Sequence, residues 1–237
     1  MRILAFDSTA KIASVAVLDG DKITGACSID NGLTQSELLL PMAEDLLRSL
    51  GLTHKDIDAY AVAVGPGSFT GVRIGVSLVK GLAFGRDIPC IEVSTLEALA
   101  RNLAPLEGVI VPCMDARRAQ VYSATFISDG ETLTRVSEDR AIALSDLAEE
   151  LRAYDDKKIY LCADGYDIAY AALTNVGIKL SKTPELLIGA SAASVARVAK
   201  DRYENGEYTS DRELAPTYLR LPQAERERLE RMQNTNA

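Results

Sequence analysis

A carboxylate, two hydroxyls and a glycine-rich loop are the residues best suited to chemistry in this sequence. Asp7 ends an apolar run at residues 2–6 and is followed by two hydroxyl residues, as in a phosphate-binding hairpin that lacks its usual glycine. Residues 65–75 read GPGSFTGVRIG and lie between a predicted strand and a predicted helix, where backbone N–H groups can hold an anion. The candidate residues of a vestigial phosphate site are Asp7, Ser8, Thr9, Gly67 and Ser68.

The glycine-rich loop matches neither of the two common phosphate motifs. No Gly-Lys-Ser/Thr follows the glycines, so it is not a P-loop, and the third glycine comes one residue late for a dinucleotide fingerprint. A tight turn in which Ser68 or Thr70 caps the next helix explains the same residues and is favoured on physical grounds alone. For Asp7, and for Asp115 at the end of a second apolar strand, a turn-capping role is the simpler interpretation.

The sequence offers few ligands for a metal ion. His54 is the only histidine and lies in a polar turn, and the four cysteines form no C-x-x-C pair. The common zinc and iron sites need several such ligands, so we predict no metal, no cofactor and no catalytic residue. A surface position for His54 is favoured over a Ser–His–Asp triad, which nothing else in the sequence supports.

Composition and charge limit the partners and the compartment. The chain has 237 residues and a formal net charge of −8, and an acidic surface repels phosphates, so direct nucleic-acid binding by this chain alone is not expected. No apolar run reaches the ~18–20 residues of a membrane span, and the N-terminus carries an acid where a signal peptide needs an apolar stretch. We expect a cytoplasmic protein without disulfides or membrane contact.

The order of elements repeats once along the chain. Aligning Asp115 with Asp7 superposes two hairpins, each made of a strand, an aspartate, a polar turn and a strand. We predict an α/β fold of two ribonuclease-H-like lobes, with mixed sheets flanked by helices, at residues 1–104 and 105–214, followed by a tail at 215–237. The predicted strands are 2–6, 12–18, 22–29, 59–64, 90–93, 109–114, 120–127, 135–141 and 159–163, and the predicted helices are 35–50, 71–84, 95–102, 145–151, 166–174 and 191–203.

Two helices of the first half carry features that suggest a partner. Apolar residues cover more than half of the helix at 35–50, which is wider than one sheet requires. The helix at 71–84 begins with Gly71 and Gly75 on one face, where another backbone could approach closely. Packing within the chain remains the alternative for both helices. The predicted interface residues are Leu38, Leu39, Met42, Leu46, Val72, Gly75, Val76 and Val79.

Several motifs together make the chain similar to the bacterial TsaB (YeaZ) family. The glycine-rich stretch with its Arg73-Ile74-Gly75 is the most distinctive of them. The others follow in the family's order over the whole chain and lie at residues 3–9, 37–41, 93–99, 114–118 with 121–122, and 216–220.

This resemblance implies a fold, a function and partners. The fold is the two-lobed ASKHA architecture of actin, sugar kinases and Hsp70. The function is that of a non-catalytic partner that pairs with the catalytic paralogue TsaD and activates it. TsaD forms the threonylcarbamoyl group on N6 of adenosine 37 (t6A37) in tRNAs that read codons beginning with adenine. The ATPase TsaE joins the complex, tRNA is met only through it, and the partner-facing surface is the helical layer of the first lobe. Alone, the chain is expected to form a homodimer through the same helices.

One comparison with the catalytic paralogue favours a non-catalytic role. The resemblance implies that the paralogue's metal-binding His-x-x-x-His falls here on Thr95 and Leu99. A hydroxyl and an aliphatic side chain cannot replace two imidazoles on iron or zinc. The alternatives are a nucleotide-dependent phosphotransferase that uses Asp7 and the glycine-rich loop, and a metallopeptidase, against which the single His54 argues. The sequence suggests Val76→Glu as a test of the docking helix.

Overall fold

The computed structural model of this protein describes residues 1–220. The prediction of a charged, solvated tail from Arg220 to Arg231 therefore lies almost entirely outside the described residues. None of the helices in residues 1–220 has the length and hydropathy that a bilayer-spanning helix requires.

The first sheet is built around β1, which carries Asp7 at its end. Its strand order is β3-β2-β1-β4-β5. The pairs β1–β2 and β2–β3 are antiparallel, and the pairs β1–β4 and β4–β5 are parallel. β1 is apolar on both sides because helices cover both faces of the sheet. The strands are β1 (Arg2–Asp7), β2 (Ala13–Asp19), β3 (Lys22–Ile29), β4 (Ala59–Gly65) and β5 (Cys90–Ser94).

The second sheet repeats this order around β6. β6 pairs parallel with β11 and antiparallel with β7 and β8, which share one register: Cys113 lies opposite Ser123, and Ile110 lies opposite Phe126. The break between β7 and β8 falls opposite Pro112, which has no N–H to donate to the ladder. The strands are β6 (Gly108–Asp115), β7 (Gln120–Ser123), β8 (Phe126–Ser128), β9 (Leu133–Arg135), β10 (Arg140–Ala143) and β11 (Ile159–Cys162).

The two sheets confirm the predicted duplication. The order β3-β2-β1-β4 of the first lobe corresponds to β9/β10, β7/β8, β6 and β11 of the second, with the same strand directions. The predicted strand at 120–127 is β7 and β8 in one register, and the predicted strand at 135–141 is replaced by β9 and β10. The fold is the predicted two-lobed α/β architecture.

Helices divide the core into layers. α1 (Gln35–Ser49) and α2 (Phe69–Ala83) pack on one face of the first sheet, and α4 (Leu144–Leu151) and α5 (Tyr166–Asn175) pack on one face of the second. α3 (Thr95–Asn102) lies between the lobes. Its Leu96 and Leu99 pack on the second sheet. Its Ala98 packs against the last helix of the chain, which covers the other face of the first sheet.

The last helix departs from the predicted lobe boundaries. α6 (Ala192–Glu204) was assigned to the second lobe, yet it packs on the free face of the first sheet. Small side chains on both sides permit this close approach, and Ala196 and Ala199 share one cluster with Ala5 and Ala61. Beyond α6, Thr209 pairs with Cys90 at the sheet edge. The chain thus returns to the first lobe, and the boundary drawn at residue 214 does not follow the packing.

The glycines that open α2 serve packing within the chain. A Cβ on Gly71 would overlap the carbonyl oxygen of Ser8, and a Cβ on Gly75 would lie 2.5 Å from the Ser8 hydroxyl. A Cβ on Gly81, in the last turns of the same helix, would meet nothing within 4 Å. Gly71 and Gly75 therefore bring α2 against the turn after β1.

We expect Gly71→Ala and Gly81→Ala to change stability in opposite directions. The added methyl at Gly71 meets backbone, so the free energy of unfolding should fall by ~1–3 kcal/mol or more. At Gly81 the methyl enters open space, and the better helix propensity of alanine should raise the free energy of unfolding by up to about 1 kcal/mol. Urea denaturation of the two variants measures both. Equal effects would contradict the packing of α2 against Ser8.

Candidate functional site

The turn after β1 is closed on itself. One carboxylate oxygen of Asp7, Oδ1, accepts hydrogen bonds from the backbone N–H of Thr9 at 3.0 Å and from its hydroxyl at 2.7 Å. The Ser8 hydroxyl donates to the carbonyl of Gly71 at 2.8 Å. All three residues of the turn are fully buried. Their polar groups therefore bind α2 and one another.

The glycine-rich loop packs directly on this turn. The Ser68 N–H donates to the Thr9 carbonyl at 2.7 Å, and the Ser68 hydroxyl accepts from the Gly71 N–H at 3.2 Å, which caps α2. A Cβ on Gly67 would lie 2.5 Å from the Thr9 carbonyl oxygen. The structure thus brings the five candidate phosphate residues together, but as a packed turn and helix cap. Phosphate binding there stays a prediction.

Asp7 carries one unsatisfied oxygen in this packed region. Its Oδ2 is buried and has no hydrogen-bond partner. Burial raises the pKa of the Asp7 carboxyl, and the hydrogen bonds from Thr9 offset part of that effect. A buried carboxylate with one unpaired oxygen is costly, so the protonated form is favoured more than in water.

A cleft of about 440 Å³ lies between the lobes, and both lobes contribute polar side chains to it, with Thr9, Gly67 and Ser68 among the lining residues of the first lobe. Asp115 lines it and accepts a hydrogen bond from the Arg117 N–H at 2.8 Å, and the two side chains form an ion pair at 3.2 Å. Asp164 accepts from the Asp115 N–H, and burial, together with the charge of Asp115, raises its pKa. Asp7, the counterpart of Asp115 in the repeat, does not line the cleft.

A C-terminal segment from Leu214 to Arg220, here called the strap, crosses this cleft. The Thr217 N–H donates to the carbonyl of Val64, and Gly65 leaves room for the strap, because a Cβ there would lie 2.5 Å from the Thr217 carbonyl oxygen. At the far end the Arg220 guanidinium donates to Ala116 and Gln120 of the second lobe. The sequence marked residues 216–220 only as a motif. Their role as a link between lobes was missed, because contacts between distant parts of the chain leave no local periodicity.

Most of the predicted interface residues lie inside the first lobe. These residues lie on the sides of α1 and α2 that face the sheet. A partner therefore cannot bury them further. Val76→Glu would accordingly place a charge in the core and test stability instead of docking. The buried residues are Leu39, Met42, Val72, Gly75, Val76 and Val79, whereas Leu38 and Leu46 are half-buried.

The width of the apolar face of α1 has an explanation within the chain. Leu46 reaches over β3, where a Cβ on Gly25 would lie 2.7 Å from its Cδ1 atom. Apolar side chains nevertheless remain on the outer surface of the same layer. Leu40 is 37% exposed, and Leu33 and Phe84 near the helix ends are 54% and 78% exposed.

Between α1 and α2 an outward-facing groove of about 500 Å³ opens on this surface. We call it the helix groove. Its walls combine apolar side chains with small polar ones and a single cation. They are formed by Gln35, Ser36, Leu39, Leu40, Phe69, Thr70, Arg73, Ile74, Ser77 and Leu78. A mixed surface of this kind, exposed on two neighbouring helices, is typical of a protein-binding site.

The positions considered for metal binding are occupied by residues that pack. Thr95 and Leu99 are buried, and the Thr95 hydroxyl has no hydrogen-bond partner. His54 is half-buried, and its Nδ1 lies 3.2 Å from the hydroxyl of Tyr60. Within residues 1–220, no three His, Cys, Asp or Glu side chains come together in a group that could hold a metal ion.

Comparisons with known proteins point in one direction. Residues 34–228 match a family model described as TsaD: tRNA N6-adenosine threonylcarbamoyltransferase. A Bacillus subtilis relative, tRNA threonylcarbamoyladenosine biosynthesis protein TsaB, is 34% identical over 95% of this chain and 96% of its own. The Escherichia coli protein of the same name is 29% identical over 93% and 95%.

Solved structures show the same shape. A Pseudomonas aeruginosa protein described as similar to peptidase YEAZ superposes with a TM-score of 0.76 at 26% identity, covering 92% of this chain and 99% of that one. A structure of YeaZ from Pseudomonas aeruginosa gives a TM-score of 0.73 at 24% identity over the same shares. The second of these supports the fold alone.

We expect Asp7→Asn to stabilise the protein at neutral pH and to be neutral in acid. Because the pKa of Asp7 is raised in the folded state, the unfolded chain ionises first, and the native protein loses stability as pH rises above the ordinary carboxyl range. Asparagine matches the protonated acid, with one acceptor for Thr9 and one donor at the position of Oδ2. The measurement is the difference in unfolding free energy between variant and wild type across the acid-to-neutral pH range. A difference that grows toward low pH would refute the account.

Proposed function

The chain belongs to the TsaB family of tRNA threonylcarbamoyladenosine biosynthesis proteins, and we propose that it acts in t6A formation as a non-catalytic partner. On this proposal it pairs with a TsaD-type paralogue and activates it. That paralogue transfers the threonylcarbamoyl group to N6 of adenosine 37 in tRNAs that read codons beginning with adenine.

The helix groove is the observation that carries the proposal. It places Leu40, Ile74 and Leu78 at the surface of two rigid helices that rest on the first sheet. An apolar groove between two well-packed helices offers a preformed surface for a partner helix. The docking surface proposed here is therefore the outer side of α1 and α2, in place of the inward residues that the periodicity had suggested.

The residues at the candidate catalytic positions support an accessory role. Thr95 and Leu99 are both buried, and neither side chain supplies an imidazole. Asp7 is fully buried and does not line the cleft between the lobes, although Thr9, Gly67 and Ser68 do, so the phosphotransferase alternative lacks its carboxylate there. The metallopeptidase alternative is disfavoured, because His54 contacts Tyr60 and no three His, Cys, Asp or Glu side chains in residues 1–220 come together as metal ligands.

Charge supports an indirect role toward tRNA. With a formal net charge of −8, the chain would repel the phosphate backbone, so we propose that tRNA meets the chain only through the complex. The complex is proposed to include an ATPase of the TsaE type. In the absence of its paralogue the chain is proposed to pair with a second copy through the same helices, because an exposed apolar groove favours burial.

We expect t6A formation to require this chain and its helix groove. The assay uses a tRNA transcript, the TsaD-type paralogue and the other pathway proteins, with modified nucleoside measured by mass spectrometry. Leu40→Glu places a charge in the groove and should weaken pairing at least about tenfold, equivalent to ~1.4 kcal/mol, with a parallel loss of t6A.

Ile168→Glu is the matched control. Ile168 is 54% exposed on α5 of the second lobe, so the same substitution there should leave pairing and t6A unchanged. Equal modification with and without the chain would refute the proposed function. Equal loss with both variants would show that the groove is not the docking surface.

A further inference from the structure

Arg73 is an exposed arginine that the chain holds in a fixed position. It lies in the wall of the helix groove, and its guanidinium carbon sits 3.8 Å above the ring centroid of Phe69, one turn earlier in α2. Its Nε donates a 2.7 Å hydrogen bond to the hydroxyl of Tyr218. An exposed arginine normally moves among many rotamers, so two such contacts remove much of that freedom.

Tyr218, which accepts the hydrogen bond from Arg73, is itself held in place. Tyr218 belongs to the strap. The residue before it, Thr217, binds the strap to the first sheet through the hydrogen bond from its N–H to the carbonyl of Val64. The rings of Tyr218 and Phe69 also lie against each other, with centroids 4.9 Å apart. The chain thus brings a segment from 145 residues away to hold one surface side chain.

The held guanidinium keeps its outer donors for another molecule. Nε is used by Tyr218, and among residues 1–220 no ion pair or hydrogen bond engages the two terminal nitrogens of Arg73. No residue that lines the helix groove is acidic. Arg73 is therefore a positive charge in a mostly apolar groove without a negative charge to balance it.

We propose that Arg73 binds a carboxylate of the TsaD-type partner, presented on a helix whose apolar side chains enter the helix groove. This inference rests on the proposed function and adds the chemistry by which the partner is recognised. The two terminal nitrogens of a guanidinium form a planar fork that matches a carboxylate in a bidentate hydrogen bond. Because Phe69 and Tyr218 already fix the fork, binding costs little further side-chain entropy.

Charge also distinguishes this occupant from a second copy of the chain. A symmetric pair brings the same surface to both sides of the contact. The groove contains one cation and no acid, so a second copy docked groove to groove would bring two Arg73 side chains into the contact and no acidic groove residue. A partner helix with an acidic side chain complements both the apolar walls and the charge.

The test measures the affinity of the full chain for the purified TsaD-type partner by titration calorimetry at low and high salt. Arg73→Gln should weaken binding at least about tenfold and flatten its salt dependence, because one ion pair is lost. The affinity of the Arg73→Lys variant should lie between those of wild type and Arg73→Gln, since lysine keeps the charge and loses the planar fork. Arg48→Gln is the control: Arg48 is an exposed arginine of α1 that pairs with Asp45 and does not line the groove, so affinity should not change.

A charge exchange identifies the partner's group. Arg73→Glu should abolish pairing, and replacing the matching acid of the partner by arginine should restore it. If Leu40→Glu disrupts pairing while Arg73→Gln binds as tightly as wild type, the inference about Arg73 is overturned and the proposed function stands. If Arg73→Gln weakens self-association of the chain alone and leaves binding of the TsaD-type partner unchanged, the occupant that Arg73 recognises is a second copy and the inference is likewise overturned. If the wild-type chain binds no TsaD-type partner, both fail together.

Discussion

The contact between the start of α2 and the turn after β1 is the constraint on which the rest of the first lobe depends. Gly71 and Gly75 admit Ser8 where any larger residue would overlap it, and Gly67 lies against Thr9 in the same way. This packing seats α2 on the sheet. It also engages the Ser8 hydroxyl and the Thr9 carbonyl in hydrogen bonds to α2 and to the glycine-rich loop. One contact thus positions α2 and packs Asp7 and Ser8 beneath it, while Thr9, Gly67 and Ser68 still line the cleft between the lobes.

The position of α2 on the sheet also determines which of its side chains face the helix groove. Once Val72, Val76 and Val79 face the sheet, helical periodicity turns Arg73 and Ile74 toward the helix groove. The strap then adds Tyr218 from the far end of the chain and fixes the orientation of the arginine. The groove that results is shaped by three parts of the sequence. α2 supplies the single charge and part of the apolar wall, α1 supplies the facing wall, and Tyr218 of the strap fixes the charge in place.

Sequence reasoning succeeded where the signal was local. The strands around Asp7 and Asp115, the hairpins and the six helices follow from apolar runs, turn residues and caps, and the repeat exposed the two-lobed plan. It failed where long-range packing decides. The helix at 191–203 was assigned to the second lobe, because nothing in its own residues reveals that its alanines fit those of the first sheet. The interface residues were drawn from the most apolar face of each helix, which is the face that a sheet buries first.

The central claim is that the outer side of α1 and α2 is the surface through which this chain joins t6A formation. Hydrogen–deuterium exchange of the chain, with and without saturating TsaD-type partner, tests it most directly. The account predicts slower exchange in residues 35–49 and 69–83 when the partner is present, and unchanged exchange in α4 and α5. Protection confined to α4 and α5, with α1 and α2 unaffected, would contradict it.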